Sequence, residues 1–237
     1  MRIFIDAIEM LREVERDLFE MGTRYQTSTV QDRKVETDPA FQTIELFGYT
    51  YSLHDATFES LRKMLAHAHC NVDWADAEVA ERTIRPPSEM SLNPGAAWRM
   101  HPDLWRPFLR EGRFAYTYAE RQHEQIDYVV NELMLRPNTR QAVLTMYDRH
   151  QDMMNWGGRD RVPCSLTYQF LHRDDRLHVI YNQRSCDFVN FFPYDVFFTY
   201  GLLNAIAYRA SLKPGTITHF IGSLHAFAGD LQDKGIF

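Results

Sequence analysis

Cysteine is scarce in this 237-residue sequence. The three present, Cys70, Cys164 and Cys186, are odd in number and lack paired metal-ligand spacing. This excludes a disulfide framework, gives no candidate metal site and fits reduced thiols in a cytosol. Long apolar runs are missing too. No stretch could span a bilayer, and the opening Met1-Arg2-Ile3-Phe4-Ile5-Asp6 lacks a signal-peptide cleavage pattern. A soluble, cytoplasmic protein with no membrane partner is expected. Positive charge is not in excess either: 26 Lys and Arg stand against 32 Asp and Glu, net −6. That argues against a broad nucleic-acid footprint, so any phosphate must be held locally. With no internal repeat, low-complexity tract or linker, and a length suited to one substantial core, residues 1–237 are expected to form a single domain.

What is present is a succession of strand and helix patterns. Ile5, Ile8, Leu11 and Leu18 recur near helical spacing and predict a helix over Phe4 to Met21. A polar, charged loop follows from Thr23 to about Pro39. Phe41 to Gly48 then alternates like a strand, and Thr57 to His69 reads as a helix. Pro86-Pro87, Asn93-Pro94-Gly95 and His101-Pro102 break the stretch from Arg85 to Gly112 into loops and turns. Ile126, Val129, Val130 and Leu133 mark a helix over Gln125 to Leu135 that stops at Pro137. Strand-like runs occupy Ala142 to Tyr147, Leu166 to Leu171 and Leu177 to Tyr181. A long apolar helix from about Tyr194 to Ala210, a Lys213-Pro214-Gly215 turn and a last strand over Thr216 to Leu224 complete the order. Strands and helices mixed in one body predict the α+β class.

The chemistry is concentrated between Val162 and Asp195. There Pro163-Cys164, Gln169-Phe170, Gln183-Arg184-Ser185-Cys186-Asp187 and Pro193-Tyr194-Asp195 fall in quick succession. A cysteine ahead of one strand, an arginine in the next and an acid at the following element make a candidate thiolate nucleophile, anion clamp and reader of a ring edge. An arbitrary cysteine is more often a small buried hydrophobe. Cys164 differs because Arg184 is a cation that can favour its thiolate, whereas Cys70 and Cys186 have no such setting. The fork of Arg184 and the hydroxyl of Ser185 suit a phosphate, the alternative being a strand arginine paired with an acid. Asp195 reads as a polar contact to a ring, as the N-cap of the apolar helix, or as both.

In order and spacing these motifs resemble the thymidylate synthase family, whose members carry Pro-Cys-His, Gln-Phe, Gln-Arg-Ser-x-Asp and Leu-Pro-Phe-Asn. The likeness is strongest from Thr139 to His225. It implies that family's fold, a mixed β-sheet flanked by helices, and a homodimer that binds a pyrimidine nucleoside monophosphate and a folate near its interface. It implies that the Cys164 thiolate adds to C6 of the pyrimidine, so that C5 captures the one-carbon unit of 5,10-methylenetetrahydrofolate. Asp195 stands where members acting on deoxyuridylate have asparagine and where the viral deoxycytidylate hydroxymethylases have aspartate. A viral source would place the protein in its host's cytoplasm. An asparagine amide answers uracil with one acceptor and one donor, whereas the amino group of cytosine needs the acceptor that a carboxylate supplies. An ionised Asp facing uracil O4 would bring two acceptors together at a cost of about 1 to 3 kcal/mol. The resemblance therefore points to the cytidylate 5-hydroxymethylase branch, with dCMP the preferred substrate and CMP also open. A thymidylate synthase or C5-methylase on the same scaffold, and a non-catalytic nucleotide-binding homologue, are the alternatives.

The same resemblance assigns further roles. Arg140, in Pro137-Asn138-Thr139-Arg140-Gln141, matches one of two arginines used across the dimer interface, glutamine replacing the other. Arg33 matches an arginine of the phosphate-binding loop, without the usual Thr-Gly-Thr after it; a solvated loop arginine is the alternative. Asp187 matches an acid near the pterin and pyrimidine. His225 matches the histidine of a sugar-binding His-x-Tyr whose tyrosine is Phe227 here, which leaves the sugar open. Ser165 replaces the histidine after the nucleophile, Tyr116 with Arg121 is similar to a Tyr-Gly-x-x-Trp-Arg segment, and Trp98, Trp105 and Trp156 could stack on a pterin or pack in the core. Methylating members close a long C-terminal segment over the folate. Only about a dozen residues follow His225, so poorer closure that admits water is expected. Glu81, or nearly as well Glu78, is the candidate to activate that water, a solvated helix-face acid being the alternative.

Overall fold

The computed structural model describes residues 1–27, 29–30, 33–34, 37–84, 91–153 and 161–233, without the side chains of 29–30, 33–34 and 232–233. In chain order the elements are β1 (Arg2–Phe4), α1 (Ala7–Met21), β2 (Thr23–Gln26), β3 (Thr29–Val30), β4 (Arg33–Lys34), β5 (Gln42–Leu53), α2 (Phe58–His67) and α3 (Val72–Thr83). There follow α4 (Pro102–Trp105), α5 (Tyr118–Leu135), β6 (Val143–Thr145), β7 (Ser165–Arg173), β8 (Arg176–Asp187), α6 (Phe192–Arg209), β9 (Lys213–Phe227) and α7 (Ala228–Asp233). Seven strands form one mixed sheet in the order β1-β5-β9-β8-β7-β6, with β2 along β5, and helices pack against it. The α+β class with a mixed sheet flanked by helices is the architecture expected.

The sequence pattern gives no helix where α3 lies, β5 runs on from the expected Gly48 to Leu53, and α5 starts at Tyr118 and not at Gln125. Three further boundaries differ for a tertiary or capping reason. Asp6 accepts a hydrogen bond from the Glu9 N–H at 2.7 Å and starts α1 at Ala7. Arg2–Phe4 is thereby left to pair in parallel with β5 instead of opening the helix. The polar stretch after Met21 contributes β2, antiparallel to β5. The expected turn at Lys213-Pro214-Gly215 is the start of β9; the chain reverses earlier, at Ser211 with φ 57°. Strands β8 and β9 run in parallel from Arg176↔Lys213 to Asp187↔His225. Parallel neighbours need a crossover, and α6 is that crossover. It is apolar on most of its circumference up to the last turn, where Tyr208 and Arg209 are exposed, as suits a helix packed between the sheet and other helices.

Alternation along the central strands sends Tyr51, Val179, Tyr181, Gln183, Ile217, His219 and Ile221 into the core. Ile180, Asn182, Thr218 and Phe220 point the other way, Phe220 being 43% exposed. The helix α3 packs on α6 so closely that a Cβ on Gly201 would lie 2.6 Å from a methyl of Val79. The first turn of α6 and the ends of β7, β8 and β9 converge on the region that holds the motifs. No helix among the described residues is long and apolar enough to cross a membrane.

Candidate active site

Cys164 is the residue before β7, and its segment is fastened to β8. The Arg184 N–H donates to the Cys164 carbonyl at 2.8 Å, while the Arg184 side chain donates from Nε to Pro163 O and from Nη2 to Val162 O, each at 2.9 Å. The remaining Nη1 lies 3.4 Å from Ser185 Oγ, which is itself 3.7 Å from Cys164 Sγ. Among the described residues no acid pairs with Arg184, whose guanidinium is instead engaged by the backbone carbonyls of Val162 and Pro163. Arg184 is exposed, braces the segment carrying the thiol, and keeps its charge beside it. Ser165 is buried and joins the hydroxyls of Tyr181 at 2.7 Å and Tyr168 at 3.2 Å.

Asp195 is not the N-cap of α6: Phe191 holds that position and Asp195 lies inside the first turn. Its Oδ2 accepts from Gln183 Nε2 at 2.7 Å and from the Cys186 thiol at 3.6 Å. Burial pushes the carboxyl up to about 6, against the opposing pull of the Gln183 bond, the Arg82 charge and the Cys186 bond. Burial, reinforced by Asp195 and Asp187, raises the Cys186 thiol well above its ordinary value and keeps it neutral. Behind Gln183 the chain continues inward, from Gln183 Oε1 to His219 Nε2 at 2.9 Å and from His219 Nδ1 to Tyr51 Oη at 3.0 Å. Burial pushes His219 down to about 3, so its ring is neutral.

The opposite wall comes from α3. Arg82 is 6% exposed, with its guanidinium 4.3 Å from the Tyr118 ring and 4.2 Å from the Phe198 ring, and it pairs with Glu78 at 2.8 Å. Glu78 is therefore engaged as a counter-charge. Glu81 is not a solvated helix-face acid, because its Oε2 accepts from the N–H groups of Ala96 at 2.6 Å and Ala97 at 2.9 Å. Gly95 makes that approach feasible: its φ is +70°, and a Cβ there would sit 2.0 Å from Glu81 Oε1. Glu78, Glu81, Trp98, Trp105, Tyr116 and Tyr118 line one cavity, into whose wall Arg161 stacks 4.3 Å from the Trp105 ring. The indole N–H groups of Trp98 and Trp105 are buried and have no partner among the described residues. The phenols of Tyr116 and Tyr118 are raised mainly by burial, with Cys164 among the further causes, which places its thiol within electrostatic reach of this cavity.

The remaining candidates are distributed unevenly. Asp187 Oδ1 accepts from the N–H groups of Val189 and Asn190, each at 3.1 Å, and closes the turn between β8 and α6. His225 stands beside Asp187 on β8 and Glu45 on β5; its Nδ1 is 3.5 Å from Ser223 Oγ, which donates to Glu45. Arg140 is exposed at the other end of β7, where its carbonyl accepts from Gln169 Nε2 at 2.9 Å. The strand rise separates it from its own Cys164 by roughly 20 Å. Arg121 lies 4.5 Å over the Tyr116 ring and binds Asp152. Arg33 stands in β4 with its side chain outside what is described, and Trp156 lies outside the described residues. Sequence reasoning missed Arg82, His219 and Tyr51. Gln183 alone had a visible signal, its place in the arginine motif.

Residues 41–233 match the family model described as thymidylate synthase. A protein of Methanococcoides burtonii named "Putative thymidylate synthase" is 32% identical over 196 residues, covering 76% of this chain and 88% of its own length. A Methanosarcina barkeri protein of the same name is 32% identical over 123 residues, 49% of this chain and 55% of that protein. The chain thus spans only about half the length of some of the curated relatives it matches. Among solved structures it is similar in fold to the thermostable thymidylate synthase A from Bacillus subtilis, with a TM-score of 0.70 at 14% identity, covering 98% of this chain and 83% of that one.

Proposed function

The chain belongs to the thymidylate synthase family, whose one-carbon donor is 5,10-methylenetetrahydrofolate, and from that premise we propose that it hydroxymethylates C5 of a cytidine nucleotide, dCMP before CMP. Asp195 carries this reading. It is a carboxylate held by Gln183 at 2.7 Å in the position that reads the ring, and its value of about 6 leaves it mostly ionised at neutral pH. In that form it accepts from the amino group of cytosine and opposes the O4 of uracil.

The lining suits a folate in chemistry but not yet in size: flat walls from Trp98, Trp105 and Tyr116, with two buried indole donors, match a heteroaromatic ring edged with acceptors, while the cavity of about 30 Å³ must widen to admit it. When bound, the folate supplies the methylene carbon. Cys164 Sγ adds to C6 and pushes an electron pair onto C5, which forms the new carbon–carbon bond. C5 then gives up its proton, water adds to the methylene carbon as tetrahydrofolate departs, and the C6–S electron pair returns to sulfur. Arg184 and Ser185 bind the nucleotide phosphate from beside the thiol, with Asp187 and His225 bordering the ring and sugar. Glu81, on the cavity wall, is the carboxylate assigned to the attacking water. Arg140 cannot serve its own Cys164 across roughly 20 Å of strand. Its place at the far end of β7 fits the phosphate site of a second copy in a homodimer.

The names of the relatives favour a second reading, methyl transfer to dUMP. Mass spectrometry of reactions with methylenetetrahydrofolate and each of dCMP, CMP, dUMP and UMP separates the two. Gain of a CH2O unit on a cytosine nucleotide supports hydroxymethylation and names the sugar. Gain of CH2 on dUMP refutes it, and no product with any of the four leaves a nucleotide-binding homologue without catalysis.

A further inference from the structure

Four side chains form a hydrogen-bonded line that ends at Asp195 only if each is turned the right way, and the burial of three of them makes that orientation obligatory. Tyr51 and His219 are 0% exposed and Gln183 is 2% exposed. The spacings along the line are 3.0 Å from Tyr51 Oη to His219 Nδ1, 2.9 Å from His219 Nε2 to Gln183 Oε1, and 2.7 Å from Gln183 Nε2 to Asp195 Oδ2. The imidazole is stacked on Tyr181 with centroids 4.3 Å apart and planes 19° from parallel, so the ring is held in place by packing as well.

Buried donors must meet acceptors, and a glutamine amide can be placed either way round until its neighbours decide. An ionised Asp195 only accepts. Gln183 therefore turns its NH2 to Asp195 and its carbonyl to His219. A neutral imidazole must then carry its hydrogen on Nε2 and leave Nδ1 to accept from the Tyr51 hydroxyl. Tyr51 favours the same direction from the other end, because a phenol donates better than it accepts and an unprotonated imidazole nitrogen is a strong acceptor.

We propose that His219, with Tyr51 behind it, is the positioning residue for pyrimidine recognition: it fixes Gln183 so that Asp195 Oδ2 is always an acceptor and any proton on Asp195 is confined to Oδ1. This rests on the reading that Asp195 faces the ring. A carboxyl that can be protonated on either oxygen offers donor and acceptor in either order, and so pairs with cytosine and uracil alike. One whose proton is confined to a single oxygen offers one order only. The line from Tyr51 turns an ambidextrous group into a one-way reader, which is specificity by exclusion of the wrong ring.

The test measures the Kd of dCMP and of dUMP by isothermal titration calorimetry on the full chain, on His219→Phe and on Tyr51→Phe. Phenylalanine at 219 preserves the stack on Tyr181 and removes both ring nitrogens; the change at 51 removes one hydroxyl. In His219→Phe the ratio of the two affinities falls about tenfold, the worth of one hydrogen bond, and in Tyr51→Phe it falls by a smaller factor. In the unmodified chain, 15N NMR at neutral pH shows a His219 ring protonated on Nε2 alone. An unchanged ratio, an equal loss for both nucleotides, no binding of either by the unmodified chain, or a His219 ring protonated on Nδ1 overturns the proposal. If His219→Phe does not fold, Tyr51→Phe and the NMR tautomer decide. The unmodified chain's own preference is a separate readout: tighter dUMP binding sinks the cytosine reading, while a ratio that still collapses in the variants upholds the positioning role.

Discussion

Replacing Asp195 by asparagine removes a charge from a place where burial disfavours it, and the effect on stability follows before any substrate is added. The folded-state carboxyl is raised from 3.8 to about 6. A group raised in this way contributes stability that is full below its unfolded value and is lost as pH rises through its folded value, because the unfolded chain releases a proton that the folded chain still holds. A displacement of about 2 pH units corresponds to about 3 kcal/mol once both values are passed. Partial exposure of the carboxyl to solvent trims this to about 2 kcal/mol. Asparagine carries no charge, and its carbonyl oxygen can still accept from Gln183. The melting temperature of Asp195→Asn relative to the native chain should therefore climb between pH 4 and pH 8, by roughly 5 °C for a protein of this size. Calorimetric melts of both proteins at pH 4, 6 and 8 measure that difference, in which the other titrating groups cancel. A difference that does not vary with pH would falsify the account of Asp195 as a carboxyl disfavoured by burial. Nucleotide preference is the second readout on the same variant: it should move from cytosine towards uracil, and no movement would leave Asp195 without a role in reading the ring.

Cys164→Ala should abolish tritium release from C5 of labelled dCMP with an unaltered circular dichroism spectrum; retained release removes the nucleophile assignment. Arg184→Lys keeps a cation, but an ammonium cannot bind the carbonyls of Val162 and Pro163 as the guanidinium fork does. Two hydrogen bonds of about 1 kcal/mol each set the expected loss of kcat/KM at tenfold or more, and an unchanged kcat/KM would make the brace dispensable. Gly201→Ala drives a methyl group to 2.6 Å from Val79 Cγ1 and should lower the urea midpoint by the equivalent of about 1 to 2 kcal/mol. Val79→Ala in the same chain should restore most of that loss, and failure to do so would show that the contact between α3 and α6 is not what limits residue 201.

The sequence by itself determined the fold class, the central apolar helix and the cluster of motifs that carries the family likeness. These are local properties: the stripe of α5 and the mainly apolar surface of α6 are set by residues within a few positions of one another. The motifs of Cys164, Arg184 and Asp195 were legible because their residue types are informative together. Only the tertiary structure decided what each group touches. Whether Arg2–Phe4 opens a helix or joins a sheet depended on β5, some fifty residues away in the chain. Glu81 and Glu78 look alike on α3, yet one ties down the N–H groups of Ala96 and Ala97 and the other neutralises a buried arginine. Asp195, read as a possible cap, proved to be held from outside its helix by Gln183 of β8. The line from Tyr51 through His219 joins residues 168 positions apart. Periodicity records which face of an element is buried; the partner that a buried polar group must find is supplied by the packing of distant elements.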